Sequence, residues 1–186
     1  MELTVIPAGL PGLLIIEPPV FGDRRGFFME THHIEKYRNA GIACAFVQDN
    51  LSFSIRGALR GLHFQLNRPQ AKLVMAVTGR IFDVAVDIRK GSPHFGSWRG
   101  VELSAENHRQ FYIPEGFAHG FCVLSESAHF LYKCSDLYAP GDEAGIRWDD
   151  PDIGIDWPLS DPVISDKDQR SPFLKNMPDA ALPQFP

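Results

Sequence analysis

Apolar and polar residues alternate with a period of two along much of this chain. The clearest case is Ile81 to Ile88, where Phe82, Val84, Val86 and Ile88 share one face and Asp83, Ala85 and Asp87 share the other. Successive side chains of an extended strand point to opposite faces, so this alternation predicts a strand. Leu73 to Val77 predicts another, joined to the first by a turn at Thr78-Gly79-Arg80. Leu13 to Ile16, Val101 to Leu103, Gln110 to Ile113, Gly120 to Leu124 and His129 to Lys133 continue the series. Arg24-Arg25-Gly26 reads as a turn before Phe27-Phe28-Met29. The 15 prolines and 16 glycines break the sequence into short runs, the spacing of a sandwich or barrel. Helical periodicity is scarce. Thr31 to Ala40 is the best candidate, with Thr31 as cap and Gly41 as stop, and a short turn is expected near Ser104 to Asn107. The expected fold is all-β, one antiparallel barrel forming a single domain. An N-terminal extension covers about residues 1–45, the barrel about 46–150, and an irregular proline-spaced wrap about 151–186.

Composition narrows the function without choosing it. A chain of 186 residues can bury a full core, and 44% hydrophobic with 22% charged residues is ordinary for a globular protein. The formal net charge of −5 argues against a nucleic-acid partner, which asks for a basic face. No apolar run approaches the ~20 residues that span a bilayer, so no membrane association is expected. The segment Met1 to Pro7 lacks a basic region followed by an apolar stretch. The three cysteines, Cys44, Cys122 and Cys134, lack metal-type spacing and read as reduced thiols. A cytoplasmic protein is the expectation.

The candidate chemistry gathers around His63. It lies in Gly57-Ala58-Leu59-Arg60-Gly61-Leu62-His63-Phe64-Gln65, followed by Lys72 and Gly79, and later by Pro114-Glu115-Gly116-Phe117-Ala118-His119. A lone histidine is most often a satisfied core residue. Arg60, Lys72 and His119 alter that balance, because several polar groups inside a small barrel are costly unless a ligand uses them. Lys72 reads either as a strand-edge lysine in solvent or as an ammonium that stabilises charge developing on a carbonyl oxygen. Tyr132, in Phe130-Leu131-Tyr132-Lys133, is either a packed aromatic or a proton donor. Asp83, Asp87 and Asp168 are each able to orient a histidine. Asp142, Glu143, Asp149 and Asp150 fall in loop-like sequence where acidic residues are common.

The two glycine–histidine segments resemble the signature motifs of the cupin family, jelly-roll barrels that usually hold a metal. Gln65 stands where the pattern has its second histidine, and Lys72 where it has a glutamate. A cation at a ligand position repels a divalent metal, so no metal is expected. A more specific resemblance runs over about residues 13 to 170. It is carried in order by Phe21 to Phe28, Phe46 to Asn50, Leu59 to Gln65, Phe82 to Arg89, Leu103 to Asn107, Ile113 to Phe121, Leu131 to Lys133 and Gly145 to Trp148. These segments resemble the dTDP-4-dehydrorhamnose 3,5-epimerases.

That resemblance implies a base at His63 oriented by Asp168, with Asp83 the alternative orienter. It implies a proton donor at Tyr132 and a group near the sugar C4 oxygen at Lys72. Arg60 and His119 match residues around the diphosphate and sugar, and Arg25, Glu30, Gln48 and Asn50 match nucleotide-side contacts. Glu143 and Lys167 complete the implied substrate-binding set. The implied substrate is a dTDP-linked 4-keto-6-deoxy sugar, inverted at C3 and C5 without a cofactor. The implied assembly is a homodimer whose sites share residues of both subunits. Three other readings stay open: a single-centre epimerase, a metal-dependent cupin such as a dioxygenase, and a non-catalytic sugar-binding cupin.

Overall fold

Thirteen strands and two short helices make up the computed structural model, which describes residues 2–185; Met1 and Pro186, the outermost residues of the expected extension and wrap, lie outside the described residues. In chain order the elements are β1 (Thr4–Pro7), β2 (Leu14–Glu17), β3 (Val20–Asp23), β4 (Gly26–Met29), α1 (Ile34–Asn39) and β5 (Gln48–Ile55). Then come β6 (Leu59–Gln65), β7 (Lys72–Thr78), β8 (Arg80–Asp87), β9 (Trp98–Ser104) and β10 (Gln110–Ile113). The last are β11 (Phe117–Val123), β12 (Ser127–Cys134), β13 (Glu143–Gly145) and α2 (Asp166–Gln169).

One sheet runs β1-β2-β10-β7-β12-β5 and the other β13-β6-β11-β8-β9, while β3 and β4 form a separate hairpin. From β5 to β12 the chain divides its strands between the sheets, β5, β7, β10 and β12 in one and β6, β8, β9 and β11 in the other. This is the jelly roll that the alternation of short strands and turns predicts. A glycine makes the β7–β8 turn possible. Gly79 has φ +73°, and a Cβ there would lie 2.1 Å from the Ser127 carbonyl.

Apolar residues fill three zones. Val74, Ala76, Ile81, Ala85, Leu103, Phe111, Phe121 and Phe130 pack between the sheets. Leu62, Val84, Val86, Ile88 and Ala118 pack outward against Ile146, Ile153, Leu174 and Leu182. Ile16 and Leu73 pack against Tyr37 and Ile42, from α1 and the residues after it. Both faces of β8 are therefore covered. The aspartates on its less apolar face are fully buried: Asp83 meets His119, and Asp87 meets Arg89 and Ser92.

The expected helix is shorter than its sequence pattern. Helix α1 starts at Ile34 with His33 as its cap residue, and Thr31 does not cap it. The Thr31 carbonyl instead accepts hydrogen bonds from Tyr37 Oη and Gln110 Nε2, which ties the segment to β10. The stop is where expected, since Gly41 has φ +90° just past Ala40. The turn at Ser104 to Asn107 also forms: Ser104 Oγ accepts from the Glu106 and Asn107 amides.

A second close backbone approach lies beside the candidate histidines. Gly61 on β6 has φ +122°, and a Cβ there would sit 2.6 Å from Gly120 Cα and 2.8 Å from the His119 carbonyl. At Gly120 a Cβ would meet the Arg60 carbonyl at 2.7 Å. The register between β6 and β11 shifts at this point, with His63 and His119 paired on one side of the irregularity. Only glycines let these strands approach so closely. Gly61→Ala is expected to cost at least about 2 kcal/mol of stability, combining backbone strain with the steric clash. Gly141→Ala, with open space around its Cα, is expected to stay within about 0.5 kcal/mol of the parent in the same denaturant titration.

Candidate active site

A cavity of about 820 Å³ opens between the sheets, within the size range of small-molecule sites. Strand β5 forms one wall with an inverted pattern. Gln48, Asn50, Ser52 and Ser54 face the cavity, while Leu51, Phe53 and Ile55 alternate with them and are exposed, Phe53 and Ile55 also bordering the cavity rim. Lys72 enters from β7, Tyr132 and Cys134 from β12, Arg60 and His63 from β6, and His119 from β11. Glu143, Tyr138, Lys167 and Asp168 close the side nearest β13 and α2.

His63 is held by Asp168. The imidazole Nε2 lies 2.7 Å from Asp168 Oδ1, and the Gly61 amide donates to Oδ2 at 3.3 Å. Asp168 is itself fixed by its helix, because Ser165 caps α2 by accepting from the Asp168 amide. Burial pushes the Asp168 pKa up, but hydrogen bonds from His63, Gly61 and Ser165 outweigh it and hold the carboxyl below its ordinary range. An ionised carboxylate only accepts hydrogen bonds. Nε2 of the neutral ring therefore carries the hydrogen, and Nδ1 carries the free lone pair. Nδ1 faces Glu143 Oε1 at 3.9 Å.

The geometry decides among the aspartates. Asp83 orients His119, whose Nε2 lies 3.0 Å from Oδ2 and 3.1 Å from Oδ1, and Asp87 is taken by Arg89 and Ser92. Burial drives this pair toward its neutral forms, lowering His119 and raising Asp83. Burial also lowers Lys72, while the neighbouring Cys134, Asp83 and Glu143 act in the opposite direction. Tyr132 is raised, first by burial and then by the nearby Cys134 and Glu143, so its phenol keeps its proton at neutral pH.

Arg60 Nε donates to Ser54 Oγ at 3.0 Å, which aims the guanidinium along the β5 wall. Gln48 Nε2 donates to Asn50 Oδ1 at 3.0 Å. Glu143 receives Lys167 Nζ and, at 3.0 Å, the Tyr138 hydroxyl, both on Oε2. Glu143, which the sequence placed among commonplace loop carboxylates, thus begins strand β13 and lines the cavity.

Arg25 and Glu30 do not join this cavity within the chain. Arg25 sits at the β3–β4 hairpin paired with Asp23, and Glu30 pairs with Lys36. The hairpin pairs with neither sheet, and none of its residues lines the cavity. Sequence reasoning missed Ser52, Ser54 and Tyr138. The serines continue the every-second-residue spacing of Gln48 and Asn50, and that period could have found them. Ser52 Oγ is buried without a hydrogen-bond partner among the described residues.

Comparison with known proteins places the chain in a family. The family model described as dTDP-4-dehydrorhamnose 3,5-epimerase matches residues 7–176. An enzyme of that name from Methanothermobacter thermautotrophicus is 54% identical over 180 residues, covering 95% of this chain and 97% of the relative. One from Shigella flexneri is 56% identical over 168 residues, covering 89% and 93%. The crystal structure of dTDP-6-deoxy-D-glucose-3,5-epimerase from Legionella pneumophila, in complex with dTDP-4-keto-L-rhamnose, superposes with a TM-score of 0.98 at 49% identity over the whole of both chains. With a family match over most of its length and a jelly-roll cavity holding a carboxylate-oriented histidine, the chain belongs to the dTDP-4-dehydrorhamnose 3,5-epimerase family.

Proposed function

We propose that this chain, an isomerase by family, inverts C3 and C5 of dTDP-4-dehydro-6-deoxy-D-glucose in the synthesis of dTDP-L-rhamnose, with His63 as base and Tyr132 as acid. The observation that carries these roles is their placement. His63, held by Asp168, and Tyr132 stand on opposite sheets and line the same cavity. The hydrogens on C3 and C5 are both adjacent to the C4 carbonyl. Removing either one gives an enolate whose charge rests on the C4 oxygen. One base and one oxyanion site therefore serve both carbons, and no cofactor is needed.

In this reading His63 Nδ1 takes the proton, and the Lys72 ammonium stabilises the C4 oxygen as its charge grows. Tyr132 returns a proton to the opposite face, which is what inversion requires. Arg60 and Lys167 meet the diphosphate, since guanidinium and ammonium groups suit phosphate oxygens. His119 borders the sugar, while Gln48 and Asn50 meet the nucleotide. Ser52 offers its unpartnered hydroxyl to the same ligand.

The assembly that fits is a homodimer. Leu51, Phe53 and Ile55 on β5 and Val77 on β7 form an exposed apolar strip, and Phe27 and Phe28 are exposed on the β3–β4 hairpin. Patches of this kind mark interaction surfaces. A second copy covering them brings Arg25 and Glu30 to the neighbouring site, which gives these two residues a role that their own cavity does not. We take the extension, the jelly roll and the wrap as one domain, because the wrap supplies Asp168 and part of the outer core. Among the described residues no helix is long and apolar enough to cross a membrane.

Two measurements test this reading. In heavy water the parent protein is expected to place deuterium at both C3 and C5. His63→Ala should abolish both exchange and inversion, whereas Tyr132→Phe should retain exchange while inversion falls by about 10²-fold or more, the scale of a lost acid. Inversion at the parent rate by Tyr132→Phe would reduce Tyr132 to a packed aromatic. For the assembly, sedimentation should give twice 20.8 kDa, and Leu51→Asp with Phe53→Asp should shift it toward the monomer with loss of turnover. A fully active monomer would refute the shared site.

A further inference from the structure

Gln65 occupies a position that the chemistry above leaves without a role. It follows His63 by two residues on β6, where the cupin pattern has a metal-binding histidine, and it is 6% exposed. Unlike His63, it does not line the large cavity. A buried primary amide is costly unless its two N–H groups and its carbonyl oxygen find partners. Here all of them do. Nε2 donates to the Arg68 carbonyl at 2.8 Å and to the Leu137 carbonyl at 3.2 Å, and Oε1 accepts from the Ala139 amide at 2.8 Å.

Two of these partners flank Tyr138. The loop 135–142, between β12 and β13, contains neither helix nor strand. Among the described residues no backbone group bonds the Leu137 carbonyl or the amides of Tyr138 and Ala139. The side chains of Leu137 and Tyr138 are about half exposed, so apolar burial holds them weakly. The ends of the loop are anchored at the surface, Asp136 to Arg68 and Asp142 to Asn67. Its middle rests on two glutamines. Gln48 Oε1 accepts from the Tyr138 amide at 2.8 Å, and Gln65 takes the groups on either side. Gln48 also faces the cavity, whereas the Gln65 amide is committed wholly to backbone.

We infer that Gln65 is a positioning residue for the nucleotide end of the site: by gripping the backbone on both sides of Tyr138, it fixes that ring as a wall of the cavity. Tyr138 lines the cavity and its hydroxyl donates to Glu143 at 3.0 Å, so a loop that shifts carries ring and hydroxyl with it. The bond from the Tyr138 amide to Gln48 sets the ring beside the residues that meet the nucleotide, and the inference rests on that reading of Gln48 and Asn50. Gln65 itself is set back from the cavity and acts through the loop. The residue type fits this task. An imidazole has only two ring nitrogens and cannot serve three backbone groups, whereas a glutamine amide has two donors and an acceptor. The position that holds a metal in the cupin pattern holds a loop in this chain.

Steady-state kinetics and calorimetric titration with dTDP test this in the parent, Gln65→Met and Gln65→Glu, each with and without Tyr138→Ala. Gln65→Met keeps the side-chain length and removes all three bonds. KM and the dTDP dissociation constant are expected to rise roughly tenfold, the order of one well-placed aromatic contact, with kcat within about twofold of the parent. Gln65→Glu keeps the acceptor for Ala139 but loses the amide donors. It should move both constants the same way by less, and it carries the test should Gln65→Met fail to fold. Once Tyr138→Ala has removed the ring, the Gln65 substitutions should change dTDP affinity by less than about twofold, because they act through that ring. A lowered melting temperature with the parent KM and dTDP affinity would leave Gln65 a structural staple and overturn the inference. A tenfold loss that persists without the Tyr138 ring would overturn it too, since Gln65 would then act by another route. A parent protein that binds no dTDP would instead defeat the functional reading, so the two failures are distinguishable.

Discussion

The site depends on one carboxylate held between a backbone amide and an imidazole. Asp168 takes the Gly61 amide on one oxygen and His63 Nε2 on the other. An ion so nearly buried is costly without partners, and these two, with the Ser165 cap on its helix, supply them. The amide is reachable because β6 and β11 approach at Gly61 and Gly120, where side chains would collide. Sequence therefore acts on chemistry through packing. Two glycines allow the approach, the approach exposes an amide, the amide anchors an aspartate more than a hundred residues away, and the aspartate fixes which imidazole nitrogen is free.

The cavity reverses the usual distribution of polarity on β5. Gln48, Asn50, Ser52 and Ser54 face inward to the cavity, while Leu51, Phe53 and Ile55 are exposed. For an isolated subunit this is unfavourable on both faces, since the buried Ser52 hydroxyl lacks a partner among the described residues and leucine and phenylalanine meet water. A polar ligand inside and the proposed second subunit outside would correct both faces. The strand is thus poorly explained by folding alone and well explained by binding.

Most of the fold was legible because β7, β8, β10 and β12 carry the period-two signal and glycine or proline marks their turns. The start of α1 was not, because the Thr31 carbonyl is claimed by Tyr37 and Gln110 from outside the local sequence. In the site, His63, Lys72, Arg60 and Tyr132 were recognisable from motifs, and the structure brings them to one cavity. Pairing the aspartates with the histidines was beyond local pattern. Asp83 lies 20 positions after His63 and Asp168 lies 105 after it, and only the fold reveals that Asp83 serves His119 while Asp168 serves His63. Arg25 and Glu30 matched motifs but do not line the cavity of their own chain; they pair locally with Asp23 and Lys36, and the β3–β4 hairpin joins neither sheet.

The central claim is that His63 meets the sugar with a free Nδ1 because Asp168 holds hydrogen on Nε2. Nitrogen-15 NMR of the histidine-labelled protein reports this directly, since protonated and unprotonated ring nitrogens resonate far apart. At a pH where the ring is neutral, the account predicts hydrogen on His63 Nε2 and a bare Nδ1, with that preference weakened in Asp168→Ala. A neutral ring with its hydrogen on Nδ1 would contradict it, for the lone pair would then point at Asp168 and away from the nitrogen that faces Glu143.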